Sequence, residues 1–136
     1  FWKGRIVSMS LKEHLHGLQH IGIPTNNLAQ TIAFYESLGF EVAHRNHTPT
    51  EPVVFLTLQN LTIEAYENKS AALHPGAVDH FAIDVSHIEA VYQAVKALGY
   101  QEMEDGIQFL PFWEKGVRYF TILGPNGEKV EFSEKL

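Results

Sequence analysis

Two histidines and two glutamates stand at matching points of a pattern that the chain repeats. Gln19-His20-Ile21-Gly22-Ile23 returns sixty residues later as Asp79-His80-Phe81-Ala82-Ile83. Leu38-Gly39-Phe40-Glu41 returns at the same offset as Leu98-Gly99-Tyr100-Gln101. Thr62-Ile63-Glu64-Ala65-Tyr66-Glu67 has its counterpart in Lys129-Val130-Glu131-Phe132-Ser133-Glu134, at a longer offset because one connection has lengthened. Each half thus supplies one imidazole and one mid-strand carboxylate. Two nitrogen and two oxygen donors make a full ligand set for a divalent metal.

The elements that must position these four groups follow from periodicity. Gly17 to Thr25 alternates as a strand, and Asn26 or Asn27 caps a helix whose apolar positions Leu28, Ile32, Tyr35 and Leu38 have helical spacing. Gly39 sits at the C′ position. Phe40 to Ala43 predicts a second strand and His44 to Pro52 a loop. Val53 to Leu58 and Leu61 to Glu67 predict two more strands around a Gln59-Asn60 turn. Residues 68–77 form a linker. The order then repeats: strand Val78 to Val85, a capping box Ser86-His87-Ile88-Glu89, and a helix with Ile88, Val91, Tyr92, Val95 and Leu98 inward. A short strand over Tyr100 to Glu102 and a long aromatic connection from Glu104 to Gly116 come next. Two strands, Val117 to Leu123 and Glu128 to Ser133, close the chain around the turn Gly124-Pro125-Asn126-Gly127. The predicted fold class is α+β, with two paired βαβββ modules at about 17–68 and 77–136 within a single domain spanning 10–136.

Side chains alternate across a strand. His20, Gly22 and Pro24 share one face and the bulky Ile21 and Ile23 the other; His80, Ala82 and Asp84 oppose Phe81, Ile83 and Val85. Glu64 and Glu131 likewise oppose Ile63 with Ala65 and Val130 with Phe132. The bulky faces must meet the helices. All four candidate ligands therefore fall on the non-helix face, beside small residues that leave room, and they converge if that face is concave.

Composition narrows the alternatives. Of 136 residues, 45% are hydrophobic, and 16 acidic against 10 basic residues give a formal charge of −6 with Lys and Arg scattered. Nothing here fits a nucleic-acid binder, and no apolar run approaches the ~18 residues that span a bilayer. With no cysteine, a disulfide framework, a thiolate nucleophile and a Cys-ligated zinc are excluded, and the expected compartment is the reducing cytoplasm. Residues 1–9 have no features of a signal peptide and read as a non-native remnant or an upstream extension.

The motifs His20-Ile-Gly-Ile, Phe34-Tyr35-Glu36, Ile63-Glu64, Asp79-His80-Phe-Ala-Ile and Gly124-Pro-Asn-Gly-Glu-Lys-Val-Glu131-Phe resemble the vicinal oxygen chelate superfamily, over nearly everything from Gly17 to Leu136. That group includes glyoxalase I, fosfomycin-resistance proteins, extradiol dioxygenases and bleomycin-binding proteins. The resemblance implies paired modules forming a cupped mixed sheet, helices outside, around a metal held by His20, Glu64, His80 and Glu131. The second glutamate is similar to the glyoxalase I branch. What this implies is a metal-dependent isomerase or lyase acting on an α-hydroxycarbonyl adduct through an enediolate, with Glu131 or Glu64 moving the proton. The metal would be Ni, Co, Zn or Mn. The resemblance also implies a homodimer. Pro24 and Gly76 stand where some glutathione-using glyoxalases carry arginines, so the thiol need not be glutathione; Asn68 does match a thiol-contacting position. The alternatives are a non-catalytic small-molecule or drug-binding protein of the same fold, or a fosfomycin-opening or extradiol dioxygenase type of metal enzyme.

Tyr66, Asn68, Trp113 and Arg118 are the further candidates for substrate binding. Phe109, Phe112 and Trp113 suit a lid over an apolar substrate or an anchor for a long loop, and Arg118 suits an anionic group. Glu102, Glu104 and Asp105 read as a solvated edge.

Overall fold

The structure is a computed structural model that describes residues 11–46 and 52–136. Most of the predicted 44–52 loop and the N-terminal segment 1–10 lie outside the described residues. Among the described residues there are eight strands, two α-helices and a short 3-10 helix, Leu11–His14. The strands are β1 (Ile21–Thr25), β2 (Glu41–Asn46), β3 (Val53–Leu58), β4 (Leu61–Glu67), β5 (His80–Asp84), β6 (Gln108–Leu110), β7 (Val117–Leu123) and β8 (Lys129–Lys135). Helix α1 is Leu28–Ser37 and α2 is Ile88–Lys96. No helix among the described residues is long and apolar enough to cross a membrane.

The two halves build the same sheet. The first has the order β1-β4-β3-β2 and the second β5-β8-β7-β6. In each, the first strand runs parallel to the fourth and the remaining pairs are antiparallel. A parallel pair needs a crossover, and α1 and α2 supply it. The α+β class and the paired, mixed-sheet architecture stand as expected from the repeat.

Alternation decides what each helix covers. On β4, Ile63 and Ala65 are fully buried while Glu64 between them is only half-buried; on β8, Val130 and Phe132 are buried and Glu131 is half-buried. The helix-facing residues of both halves form one apolar cluster, joining Ile63 and Leu56 to Phe120, Ile122 and Phe132. Each fully buried aliphatic or aromatic side chain contributes roughly 1.5–3 kcal/mol.

Polar groups fasten the halves to each other. Asn126 Nδ2 donates to Thr31 Oγ1 at 3.0 Å, and Tyr35 OH donates to Glu128 Oε2 at 2.8 Å. The Phe34 and Tyr100 rings meet edge to face at 4.7 Å. Helix α1 and the segment Asn126 to Glu128 between β7 and β8 are therefore partners. Burial and the neighbouring Glu128 carboxylate push the Tyr35 hydroxyl well above its ordinary range.

Several local expectations are corrected, beginning with β2, which runs to Asn46 and so takes in His44, read as the start of a loop. The strand predicted over Tyr100 to Glu102 shrinks to a single bridge, Glu102 to Ile122. The edge strand of the second sheet is instead β6, inside the stretch read as a loop, where Leu110 pairs with Val117. The capping box at Ser86 does not form either. His87 is the N-cap in a left-handed conformation without a side-chain bond, and the Glu134 carboxylate accepts from His87 N and Ile88 N at 3.3 and 3.1 Å. A carboxylate from β8 takes the place that Ser86 fills in a local motif. Finally, β1 begins at Ile21, so His20 stands one residue before the strand.

Candidate metal centre

Each candidate histidine meets the glutamate of its own sheet. Parallel pairing sets Gly22 opposite Glu64 and Ala82 opposite Glu131. Glycine and alanine leave the carboxylates free to lean along the sheet toward the histidine two residues earlier. A Cβ on Gly22 would already stand 3.6 Å from Glu64 Oε1. As a result, His20 Nε2 lies 3.5 Å from Glu64 Oε1, and His80 Nε2 lies 3.4 Å from Glu131 Oε1. That spacing is about the edge of a tetrahedron whose metal–ligand bonds are ~2.1 Å. Both pairs fit two donors to one ion.

The residue before each histidine orients its ring. His20 Nδ1 is 2.9 Å from Gln19 Oε1, and His80 Nδ1 is 2.9 Å from Asp79 Oδ2. With a metal on Nε2, the two neighbouring oxygens would hold the ring proton on Nδ1. Asp79 is itself held by Lys129 Nζ at 3.1 Å. The His80 hydrogen bond, and then the Lys129 ammonium, keep the Asp79 carboxyl below its usual range. Gln19 and Asp79 were visible as aligned members of the repeat, yet nothing in their type marked them as more than strand starts.

Glu131 is the more enclosed of the two carboxylates, with a side chain 19% exposed against 29% for Glu64. Burial pushes its pKa up, opposed by His80 and reinforced by Glu104. Glu104 is not the solvated edge residue that its acidic neighbourhood suggested. Its carboxylate accepts from Thr121 N at 2.7 Å and faces the same cavity as Glu131. Glu102 is also engaged, accepting from Tyr92 OH at 2.7 Å. A local reading of Glu-Met-Glu-Asp carries no sign of which carboxylate turns inward.

The four candidate ligands do not meet within one chain. Among the described residues no three His, Asp or Glu side chains gather closely enough to hold an ion. Within the chain they stand as two His–Glu pairs, one on each sheet. A cavity of about 340 Å³ beside Glu64 is lined by Gly22, Val53, Tyr66 and Asn68. A second, of about 480 Å³, holds His80 and Glu131 with Trp113, Phe112 and Tyr119. Tyr66 and Asn68 therefore line the cavity beside Glu64, and Trp113 lines the one that holds His80 and Glu131. Arg118 does not. On β7 it alternates with the cavity-lining Val117 and Tyr119, and its guanidinium pairs with Glu89 of α2 at 2.6 Å.

Comparison with known proteins agrees with this architecture. The family described as Glyoxalase/Bleomycin resistance protein/Dioxygenase superfamily matches residues 17–132. The Bacillus subtilis (strain 168) protein YwbC is 31% identical over 126 residues, covering 87% of this chain and 97% of the relative. A glyoxalase family protein from Enterococcus faecalis superposes with a TM-score of 0.73 at 26% identity, covering 89% of this chain and 99% of the other. A fosfomycin resistance protein from Listeria monocytogenes, complexed with Mn(II) and sulfate, superposes with a TM-score of 0.71 at 17% identity. It is covered to 94% by 90% of this chain, and at that identity the likeness is one of fold.

Proposed function

This chain belongs to the Glyoxalase/Bleomycin resistance protein/Dioxygenase superfamily, and from that premise we propose a metal-dependent isomerase or lyase of the glyoxalase type. Its substrate is an α-hydroxycarbonyl adduct, such as the hemithioacetal of an α-ketoaldehyde and a thiol. The observation that carries this reading is the duplicated His–Glu pair at ligand spacing, His20 with Glu64 and His80 with Glu131.

Because each sheet holds only half of a ligand set, the complete site takes the first half from one copy and the second from another. The protein then works as a homodimer with two equivalent sites. His20, Glu64, His80 and Glu131 would hold a divalent Ni, Co, Zn or Mn ion there, which would supply Lewis acidity. The chain's own residues do the rest. Asp79 and Gln19 hold the imidazoles in one tautomer. Glu131, enclosed and with a raised pKa, accepts the proton from the substrate carbon at a carboxylate oxygen and returns it to the neighbouring carbon. Glu64, more exposed, is the second candidate for that transfer.

Fosfomycin opening suits these cavities less well. A phosphonate calls for cations, and among the described lining residues of the two half-sites the cation is Lys129, already engaged by Asp79. A second reading is favoured by Trp113, which is 71% exposed beside the His80 pair: a non-catalytic binding protein for an apolar small molecule.

Metal uptake decides between them. After dialysis against each candidate ion, elemental analysis is expected to find one equivalent per chain, lost in His20→Ala, with turnover of hemithioacetals by the loaded protein. Protein that takes up no metal retires the enzyme and leaves the binding protein.

A further inference from the structure

The wall of the His80 half-site is apolar, and its surroundings are acidic. Met103, Leu110, Phe112, Trp113, Val117 and Tyr119 share one cavity with His80 and Glu131. Met103, Phe112 and Trp113 are 42%, 56% and 71% exposed, an unusual density of open apolar surface in a short stretch. The volume of about 480 Å³ is in the range of small-molecule sites.

The wall is built on a ladder and is not a loose flap. Leu110 is paired with Val117 across β6 and β7, and a Cβ on Gly116 would stand 2.5 Å from the Phe109 ring, so the turn between these strands closes tightly on itself. Trp113 takes a left-handed backbone at φ 62°, and Lys135 Nζ sits 4.0 Å from the centre of its ring. A cation over the ring face favours this placement of the indole at the rim. Such preorganised aromatic surface binds a flat group at little conformational cost.

The charge lining the cavity is mainly acidic, and the lysine beside the wall, Lys135, sits over Trp113. Asp79, Glu104 and Glu131 line the cavity, and its lysine, Lys129, is bound to Asp79. The opposite half-site contributes Glu64, and Glu67 paired with Lys69. An anionic substituent would meet like charge there. Its neutral aryl counterpart would meet stacking surface.

We infer that the substrate carries a flat, uncharged aryl substituent, seated against Phe112 and Trp113 while its vicinal oxygens face His80 and Glu131. This inference rests on the metal-centred reading above. It assigns the apolar wall, which that reading leaves unused, to substrate choice.

Two hydroxamates test it, because both present the same pair of vicinal oxygens and differ in phenyl for methyl. Acetohydroxamate and benzohydroxamate are titrated into Ni(II)-loaded protein by calorimetry, with the Phe112→Ala/Trp113→Ala double variant alongside. Benzohydroxamate is expected to bind at least about tenfold more tightly, as burying a phenyl ring implies. The variant is expected to erase that advantage, binding the two hydroxamates with equal affinity. A 4-carboxy substituent on the phenyl ring is expected to weaken binding. Equal affinities in the unmodified protein, or an advantage that survives the double variant, overturn the inference and leave the metal site intact. Binding of neither hydroxamate removes the metal-centred reading and the inference with it. Loss of the dimer in the double variant, seen by sedimentation, makes the wall a subunit contact and overturns the inference as well.

Discussion

Glu67 and Glu134 are one device used twice. Each lies three residues beyond the candidate ligand of its strand, and each accepts a backbone N–H from the start of its own helix. Glu67 Oε1 takes Leu28 N at 2.8 Å, and Glu134 Oε1 takes Ile88 N at 3.1 Å. The strand that presents a ligand on one face thereby anchors the positive end of the crossover helix at its terminus.

The Leu28 hydrogen bond, with Lys69 at 3.2 Å, keeps the Glu67 carboxyl below its ordinary value. A depressed carboxylate pKa means stability that is present above the unfolded value, about 4.3 for glutamate, and lost as pH falls through the folded value. Glu67→Gln is expected to melt at a lower temperature than the parent at pH 7. The gap should close as the pH is lowered through that window. Melting curves across pH 2.5–7 check it (roughly the span over which carboxylates titrate), and a gap that stays constant with pH would show that charge plays no part.

Tyr35→Phe removes the hydroxyl that reaches Glu128 across the two halves while leaving the ring in place. The partner is charged and partly buried, so the expected loss is about 1.5–3 kcal/mol. Urea denaturation should show a lower midpoint with an unchanged slope. A loss below about 0.5 kcal/mol, the scatter of ordinary surface substitutions, would mean that the bond does not help join the halves.

Subunit mixing reads out whether the half-sites combine between copies. Glu64→Ala and Glu131→Ala are each expected to lose bound metal and keep the fold. In a mixed dimer, one of the two sites would unite the intact first half of one chain with the intact second half of the other. Refolding the two variants together should restore about a quarter of the parental metal content for random pairing in a two-fold dimer. Sites built within one chain would restore none.

Asp79→Asn should weaken metal binding about 10- to 100-fold, as loss of an outer-sphere carboxylate partner generally does. Gln19→Ala should cost less, because a neutral amide raises the basicity of His20 less than a carboxylate raises that of His80. Competition titrations with a chromophoric chelator measure both. Nitrogen-15 spectra of the metal-free imidazoles add an independent reading: His80 should lose its single Nδ1–H tautomer in Asp79→Asn. An unchanged tautomer would remove Asp79 from the positioning role.

Much of this protein was legible in its residue pattern, because what a strand or helix needs is local. Period-two alternation placed β3 and β4 at their observed bounds, and it put Glu64 and Glu131 on the face away from the helices. The sixty-residue echo made the halves equivalent before any sheet was drawn. Choices among distant partners were not legible. The edge strand fell at Gln108–Leu110, not Tyr100 to Glu102, because the β7 ladder selects its neighbour by hydrogen-bond register and not by β-propensity. Glu134 displaced Ser86 at the helix start because a carboxylate from 46 residues away reaches Ile88 N. Arg118 went to Glu89, on the face opposite the cavity, once β7 took its register. Alternation decides which face a side chain takes within its own sheet. How the two sheets then stand relative to each other is a matter of packing between helices and turns, and that packing left the ligands as two pairs.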